Sequence, residues 1–285
     1  MITARAFAKI NLDLRIVGSQ ADGYHELRTT FQSIALHDVL TFVSSRGPFA
    51  VEADDEACPS QGNIVERAAS LLWQIAGRSG SPAGVRVRIQ KRVPIAAGLG
   101  GGSADAAAAV RALTRLWRVR VSVAQVREIA ASLGADVPFF LHGGTARGTG
   151  RGDLLSAIPD RPRRWAVVAT PSFGVSTKDA YQWFDESGAG TRKGTAVRLS
   201  LNDLQPVVVA HHPEIGRLID ELKSAGASPA AMSGSGSAVF GLFARLSAAE
   251  TAADSLIGAG RRVLVTRTLS RREHQRLSRP VLARK

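Results

Sequence analysis

Apolar and polar residues alternate over residues 9–16, KINLDLRI, the period of a strand buried on one side. Ile10, Leu12, Leu14 and Ile16 point one way, and Lys9, Asn11, Asp13 and Arg15 the other, so polar groups line one strand face near the N-terminus. ADGYHE, residues 21–26, reads as a glycine turn, and 31–43 as further strand. The period then lengthens: Ile64, Ala68, Leu71, Leu72 and Ile75 form the inward stripe of a helix over 64–77. Alternation returns in VRVRI, 85–89, within a strand predicted over 85–93. Ala106, Ala109, Val110, Leu113 and Trp117 recur at helical spacing and predict a helix over 103–117. Ser122 suits the cap of a short helix stopped by Gly134, and Pro138 the first turn of another. Glycine-rich strands are predicted through 143–157.

PDRPRR, residues 159–164, changes the composition and marks a boundary between two lobes, 1–160 and 161–285. Beyond it WAVVAT, 165–170, reads as a strand, and helical segments run to about 225; Ile215, Leu218, Ile219 and Leu222 form a stripe ending before Gly226. Two short strands, 229–233 and 237–244, flank the turn SGSG. Ser247 and Glu250 have the spacing of a capping box for a helix over 247–258, and 262–268 is a last strand. That order is the ferredoxin-like pattern. Residues 185–196 are a polar, glycine-rich loop. The fold class is α+β, two lobes with a site in the cleft between them.

The 285 residues are 45% hydrophobic, enough for a sizeable core, and no apolar run reaches the roughly 20 residues of a membrane span. MITARAFAKI enters a strand pattern directly, without the apolar stretch of a signal peptide. One cysteine, Cys58, excludes an intramolecular disulfide and a cysteine metal cluster, and a cytoplasmic protein is expected. Of the net charge of +13, more than half sits in residues 261–285, with nine Arg/Lys against one acid, Glu273. Such a tail suits nucleic acid or anionic lipid, but it has no aromatic residue to stack on bases. It is expected to be a solvated terminal segment. The six histidines are dispersed, with no metal-ligand spacing such as HExxH.

Chemistry concentrates in QKRVPIAAGLGGGSADAAAA, 90–109, where Gly98, Gly100, Gly101 and Gly102 fall within five residues between a strand and a helix. Backbone N–H groups there can approach an anion without a Cβ in the way, and the helix start adds unpaired donors and a positive dipole end. The loop has no Gly-Lys-Ser/Thr ending, and the dinucleotide frame fails at Ser103. It is a phosphate cradle of another kind. A lysine on the polar face of a buried strand, Lys9, needs an anionic partner or a bound phosphate. Asp136 sits between Gly134 and Pro138 among apolar neighbours. By position it is either a general base, kept ionised by the helix start, or a helix cap.

Three separated segments resemble the GHMP kinase superfamily: AKINL (8–12), PIAAGLGGGSADAA (94–107) and MSGSGSAVF (232–240), in family order over nearly the whole chain. AKINLDLRIVGSQADGYHEL (8–27) and LGADVPFF (133–140) are similar to the branch acting on 4-diphosphocytidyl-2-C-methyl-D-erythritol, DGYHE being the most discriminating. The resemblance implies a first lobe like the second domain of ribosomal protein S5, ATP and Mg²⁺, and phosphorylation of the 2-hydroxyl of that cytidyl sugar alcohol in the non-mevalonate isoprenoid route. A small acceptor such as homoserine or mevalonate has no base for DGYHE to stack on. A nucleic-acid-binding protein has no use for Lys9, Asp136 and the loop together.

The resemblance makes Lys9 and Asp136 catalytic and places ATP against Asn63, Pro94, Gly98, Leu99, Gly100, Gly101, Gly102, Ser103 and Ala104, with the Ser103 hydroxyl within reach of Mg²⁺. Asn63 is also a natural cap for the helix after it. Asn11, Tyr24, His25 and Tyr181 become contacts of the cytidyl substrate, Phe184 competing with Tyr181 for the cytosine pocket. Lys91 and Arg92 either approach the nucleotide or are solvated strand-end charges. Asp105 must point away from a triphosphate, pair with a cation or reach the metal. Residues 233–236 either support the phosphate loop or close on the substrate.

Overall fold

The alternating N-terminal segment forms β1 (Ile2–Ser19), which pairs antiparallel with the long β2 (His25–Pro48). β3 (Ala50–Ala53), β4 (Ala83–Gln90), β5 (Thr145–Thr149) and β6 (Leu154–Ala157) complete most of the first sheet, whose main path runs β1-β2-β4-β3 while β5 pairs with β2 and β6. A computed structural model describes residues 1–19, 24–59, 62–188, 200–258 and 260–282. Most of the turn before Tyr24 and most of the loop predicted at 185–196 lie outside the described residues.

Four helices cover one face of this sheet: α1 (Ile64–Ile75), α2 (Gly101–Leu116), α3 (Val123–Leu133) and α4 (Val137–His142). Ser122 caps α3 in a capping box with Gln125. α2 starts two residues earlier than its apolar spacing predicts, because Gly100 adopts φ 71° and turns the chain into the helix. Its alanines 104, 106–109 and 112 are buried in the first-lobe core; their small side chains let the helix lie close against the sheet.

The second sheet has the order β10-β7-β9-β8, all antiparallel, from β7 (Trp165–Pro171), β8 (Ala230–Met232), β9 (Val239–Phe243) and β10 (Arg261–Arg267). α5 (Thr177–Glu186), α6 (Gln205–His211), α7 (Pro213–Ser224) and α8 (Leu246–Leu256) supply its helices, completing the ferredoxin-like lobe. Alternation along β7 divides two cores. Val167 and Ala169 pack with the helices, whereas Ala166 and Val168 join Ala8, Ile10 and Leu12 of β1 between the sheets. The layers therefore run helix, sheet, sheet, helix.

Two expectations fail. α8 begins at Leu246 with Arg245 as N-cap and no side-chain cap, so Ser247 and Glu250 form no capping box. The basic tail is not a solvated terminal segment. After β10 it forms α9 (Arg271–Leu277), capped by Ser270 with Glu273, and β11 (Val281–Leu282), which pairs with the start of β1. The tail thus returns to the first lobe, across the boundary predicted near 160. Among the described residues no helix is long and apolar enough to cross a membrane.

Candidate active site

A register shift in β1 places the polar face. Ile2, Ala4 and Ala6 lie in the first-lobe core, but a β-bulge between Phe7 and Lys9 exchanges the faces, and Ala8, Ile10 and Leu12 pack between the sheets. Lys9 and Asn11 thereby turn toward the glycine loop. Lys9 Nζ donates to Asn11 Oδ1 at 2.7 Å and to the Gly98 carbonyl at 2.9 Å, and lies 3.4 Å from Asp136 Oδ2. Its side chain is 5% exposed, that of Asp136 31%, so the buried cation is met by a carboxylate open to the cleft. Asp136 occupies the N-cap position of α4 but makes no capping bond with its side chain. The structure therefore does not show the capping alternative, and the carboxylate faces Lys9 instead.

The glycine loop is held from three sides. The Lys9 N–H donates to the Leu99 carbonyl, the Ser233 hydroxyl to the Gly98 carbonyl, and the Ala238 N–H to the Ala97 carbonyl. Gly98 has φ 75°, and a Cβ there would meet the Ser233 carbonyl oxygen at 2.1 Å. The 233–236 turn is itself fixed by Asn202, whose amide donates to the carbonyls of Met232 and Gly234. The N–H groups of Gly101, Gly102 and Ser103 precede the first intrahelical bond of α2, from Ala104 N–H to the Gly100 carbonyl, and are the donors a phosphate would meet.

Two cavities meet at this loop. The larger, about 1190 Å³, is lined by Lys9, Asn11, Tyr24, His25, Asp136 and Tyr181 among others. The smaller, about 420 Å³, is lined by Cys58, Asn63, Lys91, Pro94 and Gly101–Gly102. Gly98, Gly100 and Ser103 line both. Leu99 and Ala104 line neither: both side chains are buried in cores, and the Ala104 N–H is spent inside the helix. Asn63 caps α1 through the Val65 N–H while its amide donates to the Pro59 carbonyl and contacts Cys58 Sγ.

Lys91 is not a solvated charge, although it lines the smaller cavity. Its ammonium is buried between the carboxylates of Asp38 and Asp105, and Asp38 also accepts the N–H groups of Arg92 and Val93. Burial alone would lower the Lys91 pKa, but the two carboxylates outweigh it and hold it up to about 12. Burial, opposed by Lys91 and aided by Asp38, pushes Asp105 up to about 7. This cluster ties the middle of β2 and the end of β4 to the second turn of α2. Arg92 is exposed and bonds Gln90.

Across the larger cavity, His25 Nε2–H donates to Asp185 Oδ1 at 2.7 Å, and its ring stacks on Tyr181 with centroids 4.9 Å apart. Phe184 touches His25 edge-on but is buried in the second-lobe core, whereas Tyr181 faces the cavity. Burial, and then the Asp136 charge, raise the Tyr181 pKa. Tyr24 is exposed at the rim with the Arg151 guanidinium over its ring, 3.7 Å from the centroid. Sequence reasoning missed Thr29, which accepts from Asn11 Nδ2, and Asp185, which orients His25. Asp185 stands one helical turn after Tyr181 on α5, a spacing visible in the sequence; nothing local marked Thr29.

The description GHMP kinases N terminal domain matches residues 63–144, and GHMP kinases C terminal matches 186–261. A 4-diphosphocytidyl-2-C-methyl-D-erythritol kinase of Pelotomaculum thermopropionicum is 43% identical, covering 95% of this chain and 99% of its own. One of Moorella thermoacetica is 41% identical, covering 94% and 99%. A crystal structure of 4-(cytidine 5'-diphospho)-2C-methyl-D-erythritol kinase superposes with a TM-score of 0.77 at 33% identity, covering 93% of this chain and 98% of that one.

Proposed function

We infer that this chain, which belongs to the 4-diphosphocytidyl-2-C-methyl-D-erythritol kinase family of the GHMP kinases, moves the γ-phosphoryl group of ATP to the 2-hydroxyl of 4-diphosphocytidyl-2-C-methyl-D-erythritol, in the non-mevalonate route to isoprenoid precursors. The observation that carries this reading is the meeting of two cavities at one loop, with the Lys9–Asp136 pair beside it. A nucleotide suits the smaller cavity, its triphosphate running over Gly100–Ser103 toward the larger. The cytidyl substrate suits the larger, its base near Tyr24, His25 and Tyr181 and its sugar alcohol near Asn11 and Asp136.

In that arrangement Asp136 accepts the proton of the acceptor hydroxyl. The freed oxygen forms a bond to the γ-phosphorus, the bond from that phosphorus to the β,γ-bridging oxygen breaks, and ADP leaves with the electron pair. Lys9 stabilises the negative charge developing between the attacking oxygen and the phosphoryl group. Asn11, fixed by Lys9 and Thr29, orients the acceptor. The residues fit a Mg²⁺ carried mainly by phosphate oxygens and water. Among the described residues no three His, Cys, Asp or Glu converge, while the Ser103 hydroxyl lines both cavities and would hold the ion. The ion supplies charge neutralisation of the β,γ-phosphates when bound. Lobes of 1–160 and 161–285, with the tail lying on the first, and a cytoplasmic location, where ATP is at hand, belong to the same proposal.

Purified protein with Mg²⁺ is expected to consume ATP on addition of 4-diphosphocytidyl-2-C-methyl-D-erythritol and not of homoserine or mevalonate. Equal turnover with either small acceptor overturns the assignment.

A further inference from the structure

The basic C-terminal segment has no part in the chemistry above, yet it is bonded into the first lobe at one place in particular. α4 has six residues, so its last carbonyls have no intrahelical partner. Three successive ones are taken by side chains. His274 Nε2–H donates to the Phe140 carbonyl at 3.0 Å, Arg111 to that of Leu141 at 2.8 Å, and Gln275 to that of His142 at 3.2 Å. His274 and Gln275 belong to α9; Arg111, on α2, also donates to the Ser278 hydroxyl, and Arg115 of α2 donates to the Pro280 carbonyl.

The tail therefore joins α2 and α4 away from the cleft, while their N-terminal ends carry the glycine loop and Asp136. One residue shortens the path. The Phe140 carbonyl accepts from His274, and its ring lies against Gly100, where a Cβ would come within 2.6 Å of the ring and 3.3 Å of Lys9 Cε. His274 is 1% exposed and fills the space beside Gly143, leaving no room there for a Cβ. Burial, and then the Arg111 charge, draw its pKa down to about 4, so it is a neutral donor near pH 7.

We propose that the C-terminal segment 270–282 is a brace for the active site and that His274 is a positioning residue, holding α4 so that Asp136 and the Phe140 ring keep their places against Lys9 and Gly100. This inference rests on the kinase reading, but its test is separate. Wild-type turnover tests that reading; the ratio of variant to wild type tests this one.

The test compares His274→Leu, which keeps the volume and removes the donor, with His274→Gln, which restores one. Active protein is counted by thermal unfolding and nucleotide binding. The leucine variant is expected to lose about 10-fold or more in kcat, with KM for ATP within about 3-fold, because a small misplacement of reacting groups is costly. The glutamine variant is expected to recover most of that kcat. Where the leucine variant does not fold, Gln275→Ala removes the exposed bond to His142 and is expected to lower kcat about 2-fold at unchanged Tm. Unchanged kcat in the leucine variant overturns the brace, as does an equal loss in leucine and glutamine variants. If only Gln275→Ala can be measured, unchanged kcat there overturns it.

Discussion

The two sides of the cleft are built differently. Around the smaller cavity, Asn63, Lys91, Asp105 and the glycine loop all come from the first lobe, and the side chains of Asn63 and Lys91 are committed to other protein groups. Around the larger cavity, His25 comes from β2, while Tyr181 and Asp185 come from α5 of the other lobe, with an exposed Tyr24 at the rim. If the nucleotide occupies the smaller cavity, as proposed, phosphate delivery is part of the core, where altering a residue costs stability as well as activity. On the same proposal acceptor recognition lies between lobes, with Tyr181 packed on the margin of the second-lobe core. A shared kinase fold with different acceptors follows from that division.

Asp136 stands where the two sides meet, so its substitution should have the largest effect. Asp136→Asn is expected to lower kcat by roughly 10²–10⁴-fold, the range of a general base, with nucleotide affinity nearly unchanged. A kcat within 3-fold of wild type in steady-state assays would remove it from the mechanism. Gly98→Ala presses a Cβ on the Ser233 carbonyl at positive φ. It is expected to cost about 2 kcal/mol or more of stability in denaturant unfolding and to weaken ATP binding along with it. Normal stability with lost ATP binding would break the link between core and donor site.

Tyr181→Ala should separate the two sides, raising KM for the cytidyl substrate about 10–100-fold with KM for ATP unchanged, as loss of a stacking ring does. Equal changes in both KM values would show that the sides are not separable. The smallest effect concerns pH. Asp105, raised to about 7 in the fold, binds its proton more tightly there than in the unfolded chain. Its contribution to stability is therefore full below about 4, the ordinary carboxylate pKa, and lost as pH rises through about 7. Asp105→Asn is expected to flatten the fall in Tm between pH 5 and 8; an unaltered slope would assign that fall elsewhere.

Much of the first lobe was legible because its signals are local. The glycine spacing, the capping residues Asn63 and Ser122, and the alternation around Lys9 and Asn11 all survive in the structure. The Lys91 cluster was not legible, because its partners Asp38 and Asp105 come from separate elements and only packing brings them together. The tail was misread for a related reason. A run of arginines has the composition of a solvated segment, and the α4 carbonyls that accept from Arg111, His274 and Gln275 come from an element far away in the chain. The bulge after Phe7 was invisible too, since the even positions from Ile2 to Leu14 are apolar on both sides of it. In the second lobe, Ser247 and Glu250 have capping-box spacing, but the chain enters α8 through an extended Arg245 instead.

The separation of donor and acceptor sides is tested most directly by inhibition of steady-state turnover with cytidine 5′-diphosphate alone. It carries the base and diphosphate of the acceptor but no hydroxyl to be phosphorylated beside Asp136. Inhibition competitive with the cytidyl substrate and not with ATP, and weakened in Tyr181→Ala, is the predicted result. Inhibition competitive with ATP and indifferent to Tyr181 would place the cytidine in the smaller cavity and contradict it.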